Sequence, residues 1–130
     1  MKELRILVAD DTESMTRLIE KVLSAKLKHL KFVLSTFNNP VNAIQEIEKE
    51  SPFNLVVTDM QMPRNQEGFA VIKAARAKSP DTKIILMSET ATETEITESG
   101  ADMFLQKPFT ADDLIGKIEK LIPETAAAPK

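Results

Sequence analysis

The chain alternates between short runs of apolar residues and longer segments in which apolar residues recur every three or four positions. Short runs rich in Leu, Ile and Val are typical of strands buried on both faces of a sheet, whereas the wider spacing is typical of helices packed on one side. Strands that alternate with helices indicate a parallel sheet covered on both faces. The pattern predicts five strands: Leu4–Ala9, Phe32–Phe37, Asn54–Thr58, Lys83–Met87 and Asp102–Gln106.

Capping residues and prolines mark the ends of the predicted helices. Helices should begin near Thr12–Ser14, after Asn39–Pro40 and at Thr110, because Ser, Thr and Asn cap helices and Pro suits the first turn. Apolar spacing places a third helix around 69–75. Segment 89–99 has Ile96 as its only large apolar residue, so its helix should be short and weakly held. Pro123 ends the last helix, which predicts one domain over residues 1–123 and a flexible tail over 124–130.

Polar residues follow the apolar runs where the strands end. The carboxyl ends of parallel strands lie at one edge of the sheet, where ligands bind, so this edge should collect Asp10, Asp11, Asp59, Ser88 and Lys107. Two carboxylates in contact repel each other by ~4 kcal/mol at an effective dielectric constant near 20. Such a cluster either raises a carboxylate pKa or binds a cation. Oxygen ligands without His or Cys favour Mg²⁺ or a similar hard ion.

These residue types suit phosphoryl transfer. A Mg²⁺ ion that keeps several waters can neutralise the oxygens of a phosphoryl group. Asp59 would then act as the nucleophile and form an acyl phosphate. Lys107 would add a second positive charge, and the hydroxyl of Ser88 would donate a hydrogen bond.

Composition narrows the classes of function. The net charge of -3, with mostly dispersed basic residues, argues against nucleic acid as a direct partner. Cysteine is absent, which excludes disulfides and thiolate metal sites, and no apolar run approaches membrane-spanning length. We therefore expect a cytoplasmic protein that binds neither nucleic acid nor membrane. The single histidine, His29, has no evident acidic or aromatic partner, so we assign it no part in phosphotransfer.

The chain resembles the receiver domain of two-component response regulators, of the chemotaxis-regulator type. The resemblance covers Leu4 to Ile122 and implies a flavodoxin-like fold with five parallel strands in the order 2-1-3-4-5. In that order Lys107 lies two strands from Asp59, roughly 10 Å at normal strand spacing, so a long side chain is needed there. Four features occur in sequence: Asp10–Asp11, Thr-Asp-Met-Gln-Met-Pro around Asp59, Ser88 after an apolar strand, and Lys-Pro-Phe from Lys107.

The resemblance also implies roles for the acidic residues and the lysine. Asp59 would be the phosphoacceptor, and Lys107 would contact the phosphoryl group. Asp11, Asp59 and the backbone carbonyl of Gln61 would bind Mg²⁺ or Mn²⁺, with Asp10 acting through a water molecule. The donor would be a sensor histidine kinase or a histidine phosphotransfer protein, and enzymatic activity would be limited to self-phosphorylation and slow self-dephosphorylation.

Two further residues would transmit the signal to a downstream protein. The resemblance also allows a homodimer that forms on phosphorylation. Ser88 would be the switch hydroxyl and Phe104 the switch aromatic, by the same resemblance. Each also has an ordinary structural explanation, since Ser often ends a strand and Phe often lies in a core.

Three features depart from the family pattern. The loop from Pro63 to Gly68 is one residue longer than usual, and the segment 88–100 is about three residues shorter. Glu89 follows Ser88, where relatives mostly carry a small residue. These departures leave open a receiver-like binding module that is not phosphorylated. A small Mg²⁺-dependent phosphohydrolase is a weaker alternative, because no Asp-x-Asp follows a strand and no cap domain is evident.

Overall fold

The computed structural model describes residues 3–49, 51–62 and 67–126. Within these ranges five strands and five helices alternate, and a short 3-10 helix follows the last of them. The strands are β1 (Leu4–Ala9), β2 (Phe32–Phe37), β3 (Leu55–Asp59), β4 (Lys83–Ser88) and β5 (Met103–Gln106). The helices are α1 (Glu13–Lys26), α2 (Pro40–Lys49), α3 (Glu67–Lys78), α4 (Glu93–Ser99) and α5 (Ala111–Leu121).

The strands form one parallel sheet in the order β2-β1-β3-β4-β5, which confirms the predicted flavodoxin-like fold. Strand β3 lies at the centre and every one of its residues is buried, as its short unbroken apolar run predicted. The bounds of β1 and β2 agree with the prediction. Strands β3 and β4 each extend one residue further than predicted, so Asp59 and Ser88 belong to the ends of strands.

The two faces of the sheet carry separate apolar cores. Ile6, Val8 and Val57 face the core under α1 and α5, whereas Leu7 and Val56 face the core under α2 and α3. This division follows from the two-residue repeat of a strand, in which neighbouring side chains point to opposite faces. Full burial of each such side chain contributes about 1.5–3 kcal/mol. The doubly covered sheet thus holds the strand ends in fixed relative positions.

Helix α4 is short, as predicted, with seven residues, of which only Ser99 is buried. Its position depends on polar contacts at its two ends. Thr92 and Glu95 form a reciprocal capping box, and Gly100 adopts a left-handed conformation at the carboxyl end, with φ 80°. Weak burial was foreseeable from the lack of apolar residues, whereas the capping box was not part of the prediction.

The chain continues past α5 as a 3-10 helix over Pro123–Thr125. Thr125 is buried, and its backbone carbonyl lies 2.8 Å from Nε2 of His29. The predicted tail therefore begins with residues that pack against the domain, while 127–130 lie outside the described residues. The loop 63–66, predicted to be unusually long, also lies outside them. Across the described ranges, we find no helix with the length and apolar character needed to cross a membrane.

Candidate functional site

The sheet register brings the polar strand ends to one edge. Ala9 pairs with Thr58, which places Asp10 beside Asp59. Asp59 pairs with Met87, one residue before Ser88, and the backbone N–H of Lys107 donates to the carbonyl of Ser88 at 3.0 Å. The expected convergence of these residues at the carboxyl edge is therefore observed. Asp11, Asp59, Gln61 and Lys107 line one open cleft there, together with Thr12, Met15, Glu89, Thr90 and Pro108.

Lys107 is the centre of a buried ionic network. Its Nζ lies 2.6 Å from Oδ2 of Asp10 and 3.4 Å from Oδ2 of Asp59. The long side chain thus spans the distance from β5 to β3, as the strand order required. Burial alone would lower the pKa of Lys107, but the hydrogen bond and charge of Asp10, with the charge of Asp59, outweigh it and raise that pKa. Lys107 is therefore a cation throughout the neutral range.

Asp10 is fully buried and has a partner for each carboxylate oxygen. Oδ1 accepts hydrogen bonds from the backbone N–H and the hydroxyl of Thr12, both at 2.9 Å, and Oδ2 accepts from Lys107. A buried charge is tolerated only with such partners. Thr12 is the N-cap residue of α1, within the predicted start at Thr12–Ser14; its hydroxyl donates to Asp10 and makes no capping bond.

Asp59 is 6% exposed and lies at the floor of the cleft. Burial, and then the nearby charge of Asp10, raise its pKa to about 6, against the opposing effects of Lys107 and of the Gln61 N–H. That N–H donates to Oδ1 of Asp59 at 3.4 Å. Asp59 is thus largely ionised at pH 7 and above, yet its charge is destabilised by its surroundings, which favours reaction with, or binding to, a cation or electrophile.

Gly68 allows helix α3 to begin directly against the backbone of the acidic strand. A Cβ atom at this position would lie 1.9 Å from the carbonyl oxygen of Asp59, a distance that no real contact shows. The N–H of Gly68 donates to the carbonyl of Met60 at 2.9 Å. A side chain here would displace the segment that carries Asp59 and Gln61, so the glycine helps to position the cleft.

Asp10, Asp11 and Asp59 form a candidate metal site. One carboxylate oxygen from each lies within 4.8 Å of the others, and Asp11 is exposed to the cleft. Three carboxylates face one ammonium, so the group carries two uncompensated negative charges when all are ionised. Hard oxygen ligands with excess negative charge fit a divalent ion such as Mg²⁺. Gln61 lines the same cleft, which is compatible with a contribution from its backbone.

Ser88 is 2% exposed, and its hydroxyl faces the loop that follows β4. Its Oγ accepts hydrogen bonds from the N–H groups of Thr90 and Ala91, both at 3.0 Å. Within the described part of the chain, no hydrogen bond joins it to the acidic residues. Phe104 is half-buried on β5 and packs against the core under α2 and α3. The structure thus brings Asp10, Asp11, Asp59 and Lys107 together, and leaves Ser88 and Phe104 outside this cluster.

Sequence reasoning missed three residues of the cleft. Thr12 was considered only as a helix cap, Thr90 was not considered, and Met15, which also packs against the core under α1 and α5, was not considered as a cleft residue. The position of Thr12, two residues after a strand-end aspartate, is a signal for the local Asp–backbone turn that it forms. The side-chain amide of Gln61 lies 3.5 Å from the Thr90 hydroxyl, across the cleft, and no spacing rule predicts such a contact.

Comparisons with known proteins agree on one family. The family described as "Response regulator receiver domain" matches residues 6–119. The receiver protein CpdR of Brucella abortus is 32% identical over 121 residues, covering 91% of this chain and 96% of its own length. The chemotaxis protein CheY of Bacillus subtilis is 28% identical, covering 91% and 97%. Other relatives are longer, and the chain spans about half of their length.

A solved structure extends the likeness to the fold. The receiver domain of the sensor histidine kinase PA1611 from Pseudomonas aeruginosa superposes with a TM-score of 0.77 at 19% identity, covering 94% of this chain and 99% of that domain. That crystal structure has a magnesium ion coordinated in its active-site cleft. At this level of identity the comparison establishes a common fold.

Proposed function

The chain belongs to the response regulator receiver domain family, a class of phosphoacceptor signalling modules, and on that premise we propose that Asp59 accepts a phosphoryl group. Receiver domains take this group from histidine kinases. We propose a sensor histidine kinase or a histidine phosphotransfer protein as the donor here. The observation that carries the proposal is the position of the partly buried Lys107, whose Nζ lies within 3.4 Å of carboxylate oxygens of both Asp10 and Asp59.

The proposed reaction moves one phosphoryl group from nitrogen to oxygen. A carboxylate oxygen of Asp59 forms the new O–P bond while the N–P bond of the donor phosphohistidine breaks. The departing imidazole nitrogen takes up a proton. Asp59 is the nucleophile and needs no base, because above its pKa of about 6 it is already ionised.

Lys107 and the acidic residues prepare the cleft for the incoming phosphate. The ammonium of Lys107 is held by Asp10, so it is positioned before the donor arrives and offsets the charge of the phosphoryl oxygens. A Mg²⁺ or Mn²⁺ ion bound by Asp11, Asp59 and the backbone carbonyl of Gln61, with Asp10 acting through water, would neutralise further phosphoryl charge. The magnesium in the cleft of the PA1611 receiver domain supports this assignment.

We propose that Ser88 and Phe104 convert phosphorylation into a change of surface. Ser88 Oγ accepts two N–H bonds from its own loop but still has a hydroxyl proton to donate. A phosphoryl oxygen on Asp59 would attract that proton and draw the loop with it, and Phe104 would repack on β5. Charge-assisted hydrogen bonds from Ser88 and Lys107 contribute about 1.5–3 kcal/mol each. A shift of the equilibrium between the two surface states from 1:99 to 99:1 requires about 5.5 kcal/mol, which is of the order of the two bonds together.

The test is intact-mass analysis after incubation with acetyl phosphate and Mg²⁺. We expect the mass of one phosphoryl group in the wild-type protein, and none in Asp59→Asn or when the divalent ion is chelated. Sustained turnover of many phosphate substrates would favour a phosphohydrolase instead. No added mass would leave a binding module that is not phosphorylated. Size-exclusion chromatography of the phosphorylated sample shows whether homodimerisation accompanies the reaction.

A further inference from the structure

Glu89 places a fourth carboxylate at the cleft. It directly follows β4, is exposed, and lines the cleft together with Asp11, Asp59 and Lys107. Its position is held through its backbone, because the carbonyl of Glu89 accepts a hydrogen bond at 2.9 Å from the side-chain amide of Gln106. In the described ranges, no hydrogen bond or ion pair engages its carboxylate, whose charge is thus free to act on what enters.

The carboxylate of Glu89 determines whether the cation-loaded cleft is neutral or negative when a phosphodonor approaches. Asp10, Asp11, Asp59 and Lys107 together carry -2 when ionised, so a divalent cation in the acidic cluster brings them to zero. With Glu89 included, the same set with the cation remains at -1. Among these residues, Glu89 is therefore the one whose charge leaves the loaded cleft negative towards an anionic phosphodonor. Repulsion between charges at a partly exposed site is modest and falls steeply with salt.

We propose that Glu89 is a specificity-determining residue that filters phosphodonors by charge and slows the loading of Asp59 by small, free acyl phosphates. This inference rests on the proposed function, because it concerns the loading of Asp59. The filter acts before the chemical step, on the encounter of donor and cleft. It therefore depends on the charge of the donor and on ionic strength, and it is independent of the donor's leaving group.

The experiment compares loading rates of the wild-type protein, Glu89→Gln and Glu89→Ala. Two donors are used well below saturation and with saturating Mg²⁺: acetyl phosphate, a dianion at pH 7.5, and phosphoramidate, which carries one net negative charge. Glu98→Gln on α4 is the matched control, since it removes the same charge from a residue that does not line the cleft. The chain lacks Trp and Tyr, so phosphorylated protein is quantified by intact mass.

At about 0.02 M ionic strength, we expect Glu89→Gln to load with acetyl phosphate roughly threefold to tenfold faster than wild type. Because the Coulomb energy scales with donor charge, the gain with phosphoramidate should be about the square root of that factor. Both gains should nearly vanish at about 0.5 M salt, and Glu98→Gln should match wild type throughout.

Two results would overturn the inference while leaving the proposed function intact. Equal rates for wild type and Glu89→Gln would show that the charge has no effect on loading. A gain in Glu89→Ala that is absent from Glu89→Gln would show that the side chain acts by size. If no variant is phosphorylated at Asp59 by either donor, the proposed function falls, and the inference with it.

Discussion

The two walls of the cleft are built in different ways. The inner wall consists of the buried Asp10 and Asp59 and the partly buried Lys107, which lie at the ends of three strands and are joined by ion pairs. The outer wall is the loop 89–92, which leads into helix α4; both are largely exposed and are held mainly by polar contacts. The inner wall is thus pre-organised for chemistry, whereas the outer wall can shift at low cost.

Helix α4, which follows the outer wall, is held by polar contacts at both ends. Beyond the capping box at Thr92, the guanidinium of Arg76 donates to the carbonyl of Gly100 at 3.0 Å and to Asp102 at 2.8 Å. The Arg76–Asp102 pair is about one-third exposed, and ion pairs at the surface contribute only about 0–1 kcal/mol, less than the burial of one large apolar side chain. An element held in this way can respond to a change of charge in the cleft.

The largest effect on stability is expected from a substitution in the inner wall. Lys107→Met keeps the length of the side chain but leaves the fully buried Asp10 without its cation. We expect the free energy of unfolding to fall by about 3 kcal/mol at pH 7.5 without divalent ions, the lower end of the range for breaking a buried pair. Urea denaturation measures this. Lys120→Met on the exposed face of α5 is the control, and an equal loss in both variants would mean that the network is not structurally important.

Ser88→Ala tests how the two walls communicate. We expect Asp59 still to be phosphorylated, because the inner wall is intact, but the response of the outer wall should be lost with about 1.5–3 kcal/mol of switching energy. Hydrogen exchange of residues 89–99, with and without a beryllium trifluoride phosphoryl mimic, reports that response. Protection that still changes in Ser88→Ala as it does in wild type would refute the coupling.

The raised pKa of Asp59 should make the stability of the protein fall as pH rises. Its pKa in the folded protein is about 6, against 3.8 for an ordinary aspartate, so the folded state binds the proton more tightly. Its contribution to stability is therefore full below pH 3.8 and is lost as pH rises through about 6. With allowance for solvent screening, Asp59→Asn should be more stable than wild type by about 1–2 kcal/mol at pH 7.5.

This difference between Asp59→Asn and wild type should shrink below pH 4, where both side chains are neutral. Saturating Mg²⁺ should also shrink it, by stabilising the wild-type protein through binding to the acidic cluster. Denaturation curves at several pH values with and without Mg²⁺ measure the effect. A difference that is constant from pH 4 to 7.5 would contradict the raised pKa.

The smallest effect on stability is expected from removing a helix cap, and the chain offers two caps of the same type for comparison. Thr92→Ala and Thr110→Ala each remove a capping box worth about 1 kcal/mol, one from α4 and one from α5. Helix α5 buries Leu114 and Ile118, so its loss should appear in global stability, whereas loss at α4 should appear as faster local hydrogen exchange. Equal effects of the two variants on global stability would show that α4 is as firmly packed as α5.

The sequence was sufficient to predict the inner wall and less informative about the outer one. Apolar runs place strand ends reliably, because a buried strand must stop where its polar residue emerges, and parallel topology then brings Asp10, Asp59 and Lys107 to one edge. The direction of the Ser88 hydroxyl is set by a local turn with the N–H groups of Thr90 and Ala91, which apolar periodicity does not encode. The contact of Thr125 with His29 joins segments far apart in the chain, to which no periodicity applies. The sequence also did not predict that the Thr12 hydroxyl would bond to Asp10 and make no capping bond to α1.

The central claim is that the inner wall makes Asp59 a carrier of phosphate. The most direct measurement is reduction of the phosphorylated protein with borohydride, which converts an aspartyl phosphate to homoserine, followed by mass analysis of the peptides. We predict homoserine at position 59 alone, dependent on Mg²⁺ and strongly reduced in Lys107→Met. Homoserine at another aspartate, or an unchanged residue 59 in protein that carries phosphate, would contradict the account.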